Sequence, residues 1–483
     1  LKGGRTMMQS SKVTILLMSS AILLGGCASV PREAGFPAVE AAVAERTGQR
    51  VRWNRLTAED RSVDSAVRDL LARPLTADAV AQVALLNNRS LQATYEDLGI
   101  AQAEVVQAGL LRNPVFDGEV KFGEGGSGTA VEIAVVQDFL DVFFIPLRKR
   151  IAEDAFEATK LRVTGAVLDL AAQTRIAFYA HVAAEQTVEM RQTVMAATDA
   201  SFDLARRLHA AGNISDLDLA QERALFEEAK VGLAEAEAAV LDSRERMNVL
   251  MGVWGTDTAW KSVKRLPDLP SEELALDDAE RQAVERSLEL AAARSEVQAA
   301  AATLGVQRSL GLLPEAEVGA SAEREGDGEW AVGPALSLPI PLFDQGQART
   351  AAADSTLQRA RQQFIATAVE VRSAARDGRN RVLATRARAN YFHQVILPLR
   401  REITERTQLQ YNAMQIGAFQ LLQAKEKEVE AGITYIEALR DYWTARTRME
   451  QIRSGRVPSG GAAGMASNRA AGSSSKGRET GGH

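Results

Sequence analysis

Two periods of hydrophobic and polar positions succeed one another along this chain. In "VFDGEVKF" (115–122), Phe116, Gly118, Val120 and Phe122 face one way, while Asp117, Glu119 and Lys121 face the other. After "GEGGSG", Val131, Ile133 and Val135 alternate with Glu132 and Ala134. The pattern returns at Ala316, Val318, Ala320 and Ala322, then, beyond "REGDGE", at Trp330, Val332, Pro334, Leu336 and Leu338. Period two across a glycine-rich acidic turn predicts a β-hairpin. Apolar-out, polar-in strands of roughly 9 to 11 residues are what a transmembrane barrel requires. A single such hairpin could equally be half-buried on a soluble domain; two equivalent ones argue for lipid.

Elsewhere the period is helical. From Pro146 to about Ala211 there is no further proline and only Gly165, so roughly 65 residues would reach on the order of 100 Å. Val167, Leu170, Thr174, Ala177, His181, Ala184 and Val188 step by three and four, as a coiled-coil seam does. His181 lies on that stripe and reads as a packed residue rather than a metal ligand. Beyond Gly212 the chain returns through Phe226, Ala229, Leu233, Ala236, Val240, Ser243, Met247 and Leu250. A second long helix spans about Gln345 to Met414, with Pro398 as a local kink. Its return runs from about Phe419 to Ile452, with Leu422, Val429, Ile436, Leu439 and Trp443 inward.

These segments form a duplication. "NNRSLQATYEDLG" and "VERSLELAAARSE" both open on Arg-Ser-Leu. Pro114 and Pro314 are 200 residues apart, as are Phe143 and Phe343, and Gly212 and Gly417 are 205 apart. Two copies of a unit of about 200 residues exceed the period of a small solenoid repeat.

Composition adds three constraints. The chain has 483 residues, 46% hydrophobic but only 5% aromatic, with a net charge of −6. That suits long helices packed through alanine, and gives no basic bias toward nucleic acid. The single cysteine excludes an internal disulfide, and four histidines leave little for a metal cage. Near the start, Lys12 precedes an apolar stretch of 14 residues, Val13 to Gly26, of signal-peptide length. "LGGC" (24–27) then resembles a bacterial lipobox, which marks Cys27 for lipidation, and Ala28 in place of aspartate implies sorting to the outer membrane. An ordinary secretory signal with an incidental cysteine is the alternative.

The ordered set of these features resembles the TolC family of outer-membrane factors over nearly all of 38–453. It includes "LTADAVAQVALLNNRSLQA", the "RNP" strand start, the "PIPLFDQGQAR" strand-to-helix junction and glycine-centred turns at 212 and 417. The resemblance implies a mainly α fold with a transmembrane part. Each chain would carry a two-fold repeat of helix, two strands, long helix and returning helix. A homotrimer would close a 12-stranded β-barrel, continued by an α-helical coiled-coil tunnel. It implies the exit duct of a tripartite exporter, partnered by a periplasmic adaptor and an inner-membrane pump such as an RND transporter. It also implies a periplasmic tip at Gly212, Ser215, Asp216, Asp218, Gly417, Gln420 and Gln423, with Gln420 and Gln423 where many members carry aspartates. "YNAMQIGAFQLLQA" resembles members associated with heavy-metal resistance.

The expected organisation is a leader over 1–26, a lipid-anchored segment over 27–74 and a first repeat over 75–252. That repeat has strands at about 114–138 and a turn at about 211–216. A linker over 253–278 leads to a second repeat over 279–453, with strands at about 314–340 and a turn at about 414–420. A Gly/Ser-rich disordered tail occupies 454–483. No catalytic set or cofactor motif stands out. Asp216 and Asp218 suit helix capping or pore lining better than paired-carboxylate catalysis. "GEGGSG" lacks the lysine of a phosphate loop. Arg379, Arg381, Arg386 and Arg388 read as solvated faces. Two rivals to a channel remain at this stage. One is a lipid-anchored periplasmic coiled-coil scaffold, which leaves the strands unexplained; the other is an anchored hydrolase, which lacks a reactive site.

Overall fold

A computed structural model describes residues 29–55, 57, 60–122, 129–138, 141–310, 317–324, 328–337 and 342–458. Cys27, the leader, "GEGGSG" and most of the Gly/Ser-rich tail lie outside them. The elements run α1 (Phe36–Thr47), α2 (Arg61–Leu71), α3 (Ala77–Asn87), α4 (Arg89–Ala108), β1 (Val115–Phe122), β2 (Thr129–Asp138), α5 (Asp141–Ala210) and α6 (Asp216–Met251). They continue with α7 (Ala279–Arg286), α8 (Leu288–Leu310), β3 (Glu317–Arg324), β4 (Trp330–Ser337), α9 (Gln347–Tyr391), α10 (Leu397–Asn412) and α11 (Ala418–Arg453). The order helix, two strands, long helix and returning helix therefore occurs twice.

The chain divides into two compact units. One draws on the segment up to Gly35 with 97–159 and 294–362; the other on 36–96, 160–293 and 363 onward. The first holds an antiparallel sheet in the order β1-β2-β3-β4. Its register separates two faces. On one, Phe116 pairs with Val135, Val135 with Ala320, and Ala320 with Pro334; the next row is Gly118, Ile133, Ala322 and Val332. On the other, Glu119, Glu132 and Glu323 lie in register, and Lys121 bridges Glu119 at 3.3 Å and Glu132 at 3.7 Å. Every residue of β1 is exposed. Also in this unit, Leu304 of α8 packs on Ala353 and Leu357 of α9.

The second unit is helical. Val67 of α2, Val80 and Val83 of α3, Phe178 and Val182 of α5, Met247 and Met251 of α6, Trp260, and Ile436 and Leu439 of α11 form its largest core. The α5 seam buries Val167, Thr174, Ala177 and His181. His181 Nδ1 lies 2.9 Å from Ser243 Oγ on α6, and its ring stands edge-on to Trp260. It is a packed inter-helix residue.

Three boundaries differ from the sequence reading. Helix α5 begins at Asp141, so Pro146 lies inside it. The irregularity at Pro398 is a π turn, Phe392–Ile396, placed just before it. Proline offers no N–H to the preceding turn, and a widened turn absorbs that defect. The Arg-Ser-Leu motifs are out of step by two residues. Helix α4 is capped by Asn88, whose Oδ1 accepts from Leu91 N at 2.9 Å. Helix α8 is capped by Ser287, whose Oγ accepts from Leu290 N at 3.1 Å. Leu91 therefore corresponds to Leu290, not Leu288. Among the described residues no helix is long and apolar enough to cross a membrane.

Candidate functional site

The two helical turns expected at the tip are built on one plan with different residues. In the first, Gly212 takes φ +74°, and its N–H donates to the His209 carbonyl at 2.8 Å. Asn213 N–H donates to the Leu208 carbonyl at 2.9 Å. This pair of bonds is a Schellman ending, whose left-handed residue favours glycine because a Cβ would strain it. Ser215 then caps α6. Its Oγ accepts from Asp218 N–H at 3.2 Å, while the Asp218 carboxylate accepts from Ser215 N–H at 3.0 Å and from the Ser215 hydroxyl at 2.7 Å. This is a capping box. The Ser215 hydroxyl, and then its N–H, hold the Asp218 carboxyl below the usual aspartate range. Asp216, in the first turn of α6, lies 2.6 Å from His209 Nε2. Asp216 and Asp218 thus take capping and helix-start positions, where carboxylates complement the helix dipole.

In the second turn, Met414 N–H donates to the Tyr411 carbonyl at 2.9 Å and Gln415 N–H to the Gln410 carbonyl at 3.0 Å. The left-handed residue is Met414, at φ +59°, and not a glycine. Gly417 sits at φ −84° as the N-cap of α11, with no side chain to accept a bond. The sequence pairing of Gly212 with Gly417 is therefore corrected. Gly212 matches Met414, and Ser215 matches Gly417, both 202 residues apart. Glycine is only the preferred occupant of a left-handed position, so its absence hid the true match. Gln420 takes the place of Asp218, with its Oε1 folded back over Gly417. Gln420 and Gln423 are both exposed.

The structure joins the two hairpins behind these turns. Val194, Ala229, Val429 and Ile433 form a small core shared by α5, α6 and α11. A narrow crevice beside it is lined by Thr198, Glu222, Leu225 and Gln423, among others. Glu222 is buried there, and its carboxylate accepts a bond from the Ser201 hydroxyl across α5 and α6.

Two features escaped the sequence reading. The tail expected to be disordered from Ser454 is packed as far as Val457. Arg456 holds Asp169 through Nε at 2.9 Å and Nη2 at 2.6 Å, and Glu289 through Nη1 at 3.0 Å. Gly455, at φ +92°, brings its backbone against the Arg286 carbonyl, where no Cβ could fit. The lone Gly165 in α5 was the available signal, since the Arg456 guanidinium lies directly over it. Arg386 is also more than a solvated residue. It donates to Glu273 Oε2 at 3.1 Å and to the Pro270 carbonyl at 2.9 Å, which ties the linker to α9. Among the described residues no group of three or more His, Cys, Asp or Glu could hold a metal ion.

Comparison with known proteins agrees with this architecture. The profile of the family described as "Outer membrane efflux protein" matches residues 80–253. The cobalt-zinc-cadmium resistance protein CzcC of Cupriavidus metallidurans is 25% identical over 391 residues, covering 79% of this chain and 90% of that one. The antibiotic efflux pump outer membrane protein ArpC of Pseudomonas putida is 24% identical over 378 residues, covering 72% and 76%. The crystal structure of the Campylobacter jejuni CmeC outer membrane channel superposes with a TM-score of 0.64 at 14% identity, covering 81% of this chain and 88% of that one. With its duplicated strand-and-hairpin plan, the chain shares the fold of TolC-like outer membrane efflux channels, and its first repeat matches the profile of that family.

Proposed function

We propose that three copies of this chain form a channel through the outer membrane, the exit duct of a tripartite efflux system. Four strands cannot close a barrel alone, and open sheet edges are not tolerated in lipid. Three sheets joined β4 to β1 give a 12-stranded barrel with the apolar face outward and the carboxylate face lining the lumen. The two-faced sheet is the observation that carries this reading. A coiled-coil scaffold has no use for valine, leucine and phenylalanine exposed on one side of a sheet and glutamates on the other.

In this reading the helical hairpins extend the duct into the periplasm, where a periplasmic adaptor meets the tips and an inner-membrane pump such as an RND transporter supplies the cargo. Cys27 carries a lipid anchor. The cargo is a metal ion or a drug, and cobalt, zinc and cadmium are the first to test, given the similarity to CzcC. The duct performs no chemistry itself. Gln420 and Gln423 line the constriction together with the Ser215–Asp218 turn. Amides there hydrogen-bond between chains without binding cations by charge. A Gln423→Cys disulfide between subunits should block current, and reduction should restore it; cysteines that never cross-link would remove Gln423 from the gate.

Conductance in planar bilayers is the direct test. Val135→Arg, on the apolar face two rows inward of Trp330, should cost about 2 to 4 kcal/mol near the bilayer midplane and abolish trimers and current. Glu119→Gln, on the other face, should leave both intact. Equal tolerance of the two changes, or no current from wild-type protein, would defeat the channel reading.

A further inference from the structure

Among the described residues, the apolar face of the sheet contains one charge. Phe116, Val120, Phe122, Val131, Ile133, Val135, Val318, Val332 and Leu336 share that face with Arg324, the last residue of β3. The acidic residues of the described strands, Asp117, Glu119, Glu132 and Glu323 among them, lie on the other face. Among the described residues no carboxylate comes within ion-pair distance of Arg324. Directly opposite it on β4 stands Trp330, half exposed at 50%, and Phe122 on β1 is 82% exposed one row nearer the turns.

The position along the strands is equally specific. Helices connect to the sheet at Val115, Asp138, Glu317 and Ser337, so Arg324 and Trp330 lie at the opposite, turn-bearing end. The guanidinium is drawn toward that end. A Cβ placed on Gly328, in the β3–β4 turn, would lie 3.5 Å from Arg324 Nη2. A long cationic side chain beside a tryptophan, at the end of an apolar band, has the form of a membrane-interface anchor. Arginine offers a planar fork of donors matched to phosphate.

We propose that Arg324 and Trp330 form a binding site for the phosphate of an anionic lipid headgroup at the outer rim of the barrel. The site rests on the membrane reading of the sheet given above. The tryptophan ring lies at headgroup level, and the guanidinium donates to phosphate oxygens. The carboxylates of the opposite face keep such anions out of the lumen, so this is a site for lipid and not for cargo.

The test uses the full-length trimer in phosphatidylcholine vesicles containing a minor fraction of phosphatidylglycerol, with bromine on the acyl chains of one lipid or the other. Trp330 quenching is obtained by subtracting the Trp330→Phe signal. Brominated phosphatidylglycerol should quench Trp330 as though enriched about fivefold near it, the effect of one basic residue at a membrane surface. Arg324→Gln should bring the enrichment to unity, and Arg324→Lys should keep most of it. Brominated phosphatidylcholine and single-channel current should be unchanged in both variants, which shows that they fold. Enrichment that survives Arg324→Gln, or none in wild type, overturns the site while leaving the channel standing. Inorganic phosphate that shifts Trp330 fluorescence in wild type but not in Arg324→Gln, with no enrichment of phosphatidylglycerol, assigns the residues to a free anion and overturns the lipid assignment. Absence of quenching by either lipid in every variant would overturn the site and the membrane reading together.

Discussion

The turns at 208–218 and 409–420 follow the same path with opposite local chemistry. The first puts glycine at the left-handed position and serine at the cap, with aspartate three residues on. The second puts Met414, 94% exposed, at the left-handed position and a capless glycine before α11. A side chain at that backbone conformation costs about 1 to 2 kcal/mol. Glycine in place of a serine cap costs a few tenths of a kcal/mol more. The ascending helix of the second hairpin also carries the π turn at Phe392–Ile396, whereas α5 is continuous. The duplication has kept the path and relaxed its support on one side only. The second tip should therefore open first, on the scale of local fluctuations that amide exchange reads.

The largest expected effect reverses that order. Gly212→Val places a β-branched residue at a left-handed position and should cost about 1 to 3 kcal/mol. Amides of Gly212's neighbours, Asn213 above all, should then exchange on the order of 10- to 100-fold faster. Unchanged exchange would mean that the Schellman ending does not limit opening. Met414→Gly is the converse, and should slow exchange at Gln415 by about fivefold, as roughly 1 kcal/mol of strain is relieved. If Met414→Gly leaves the second tip as labile as before, its weakness lies in the π turn instead.

A smaller effect belongs to the caps. Ser215→Ala should cost the first tip about 1 kcal/mol, since Asp218 N–H loses its acceptor. Gly417→Ser should gain the second tip only a few tenths of a kcal/mol, because Gln420 already folds over that site. Equal responses at the two caps would show that Gln420 contributes nothing there.

Why one turn was legible and the other was not follows from the same residues. Gly212, Ser215 and Asp218 are the preferred occupants of their positions, so sequence and structure name the same roles. Met414 is an exception to preference, and the nearest glycine drew the alignment three residues off. The strands could be read because alternation holds through the middle of each strand, down to the glutamate row. The ordered end of the chain could not, because Arg456 acts at a distance of 287 residues on Asp169 and leaves only Gly165 as a local trace. Arg386 escaped for a similar reason, since its partner Glu273 lies 113 residues away. Local periodicity encodes faces. Contacts between distant charged residues carry no periodic mark.

The smallest effect separates the tips by pH. Asp218 is held below its ordinary value of 3.8 by bonds from the Ser215 hydroxyl and then the Ser215 N–H. A carboxyl whose folded pKa lies below its unfolded one stabilises fully above the unfolded value, and loses that contribution as pH falls through the folded value. Protection of the first tip, corrected for intrinsic exchange, should therefore decline only below about pH 4. The second tip has Gln420 at the equivalent position and no such decline should occur there, so the two turns converge in acid. Asp216 is a second carboxylate on the same tip, against His209. Comparison on an Asp216→Asn background isolates the cap. Adding Asp218→Asn should then flatten the profile, and an acid decline that persists without either carboxylate would place its origin outside the capping box.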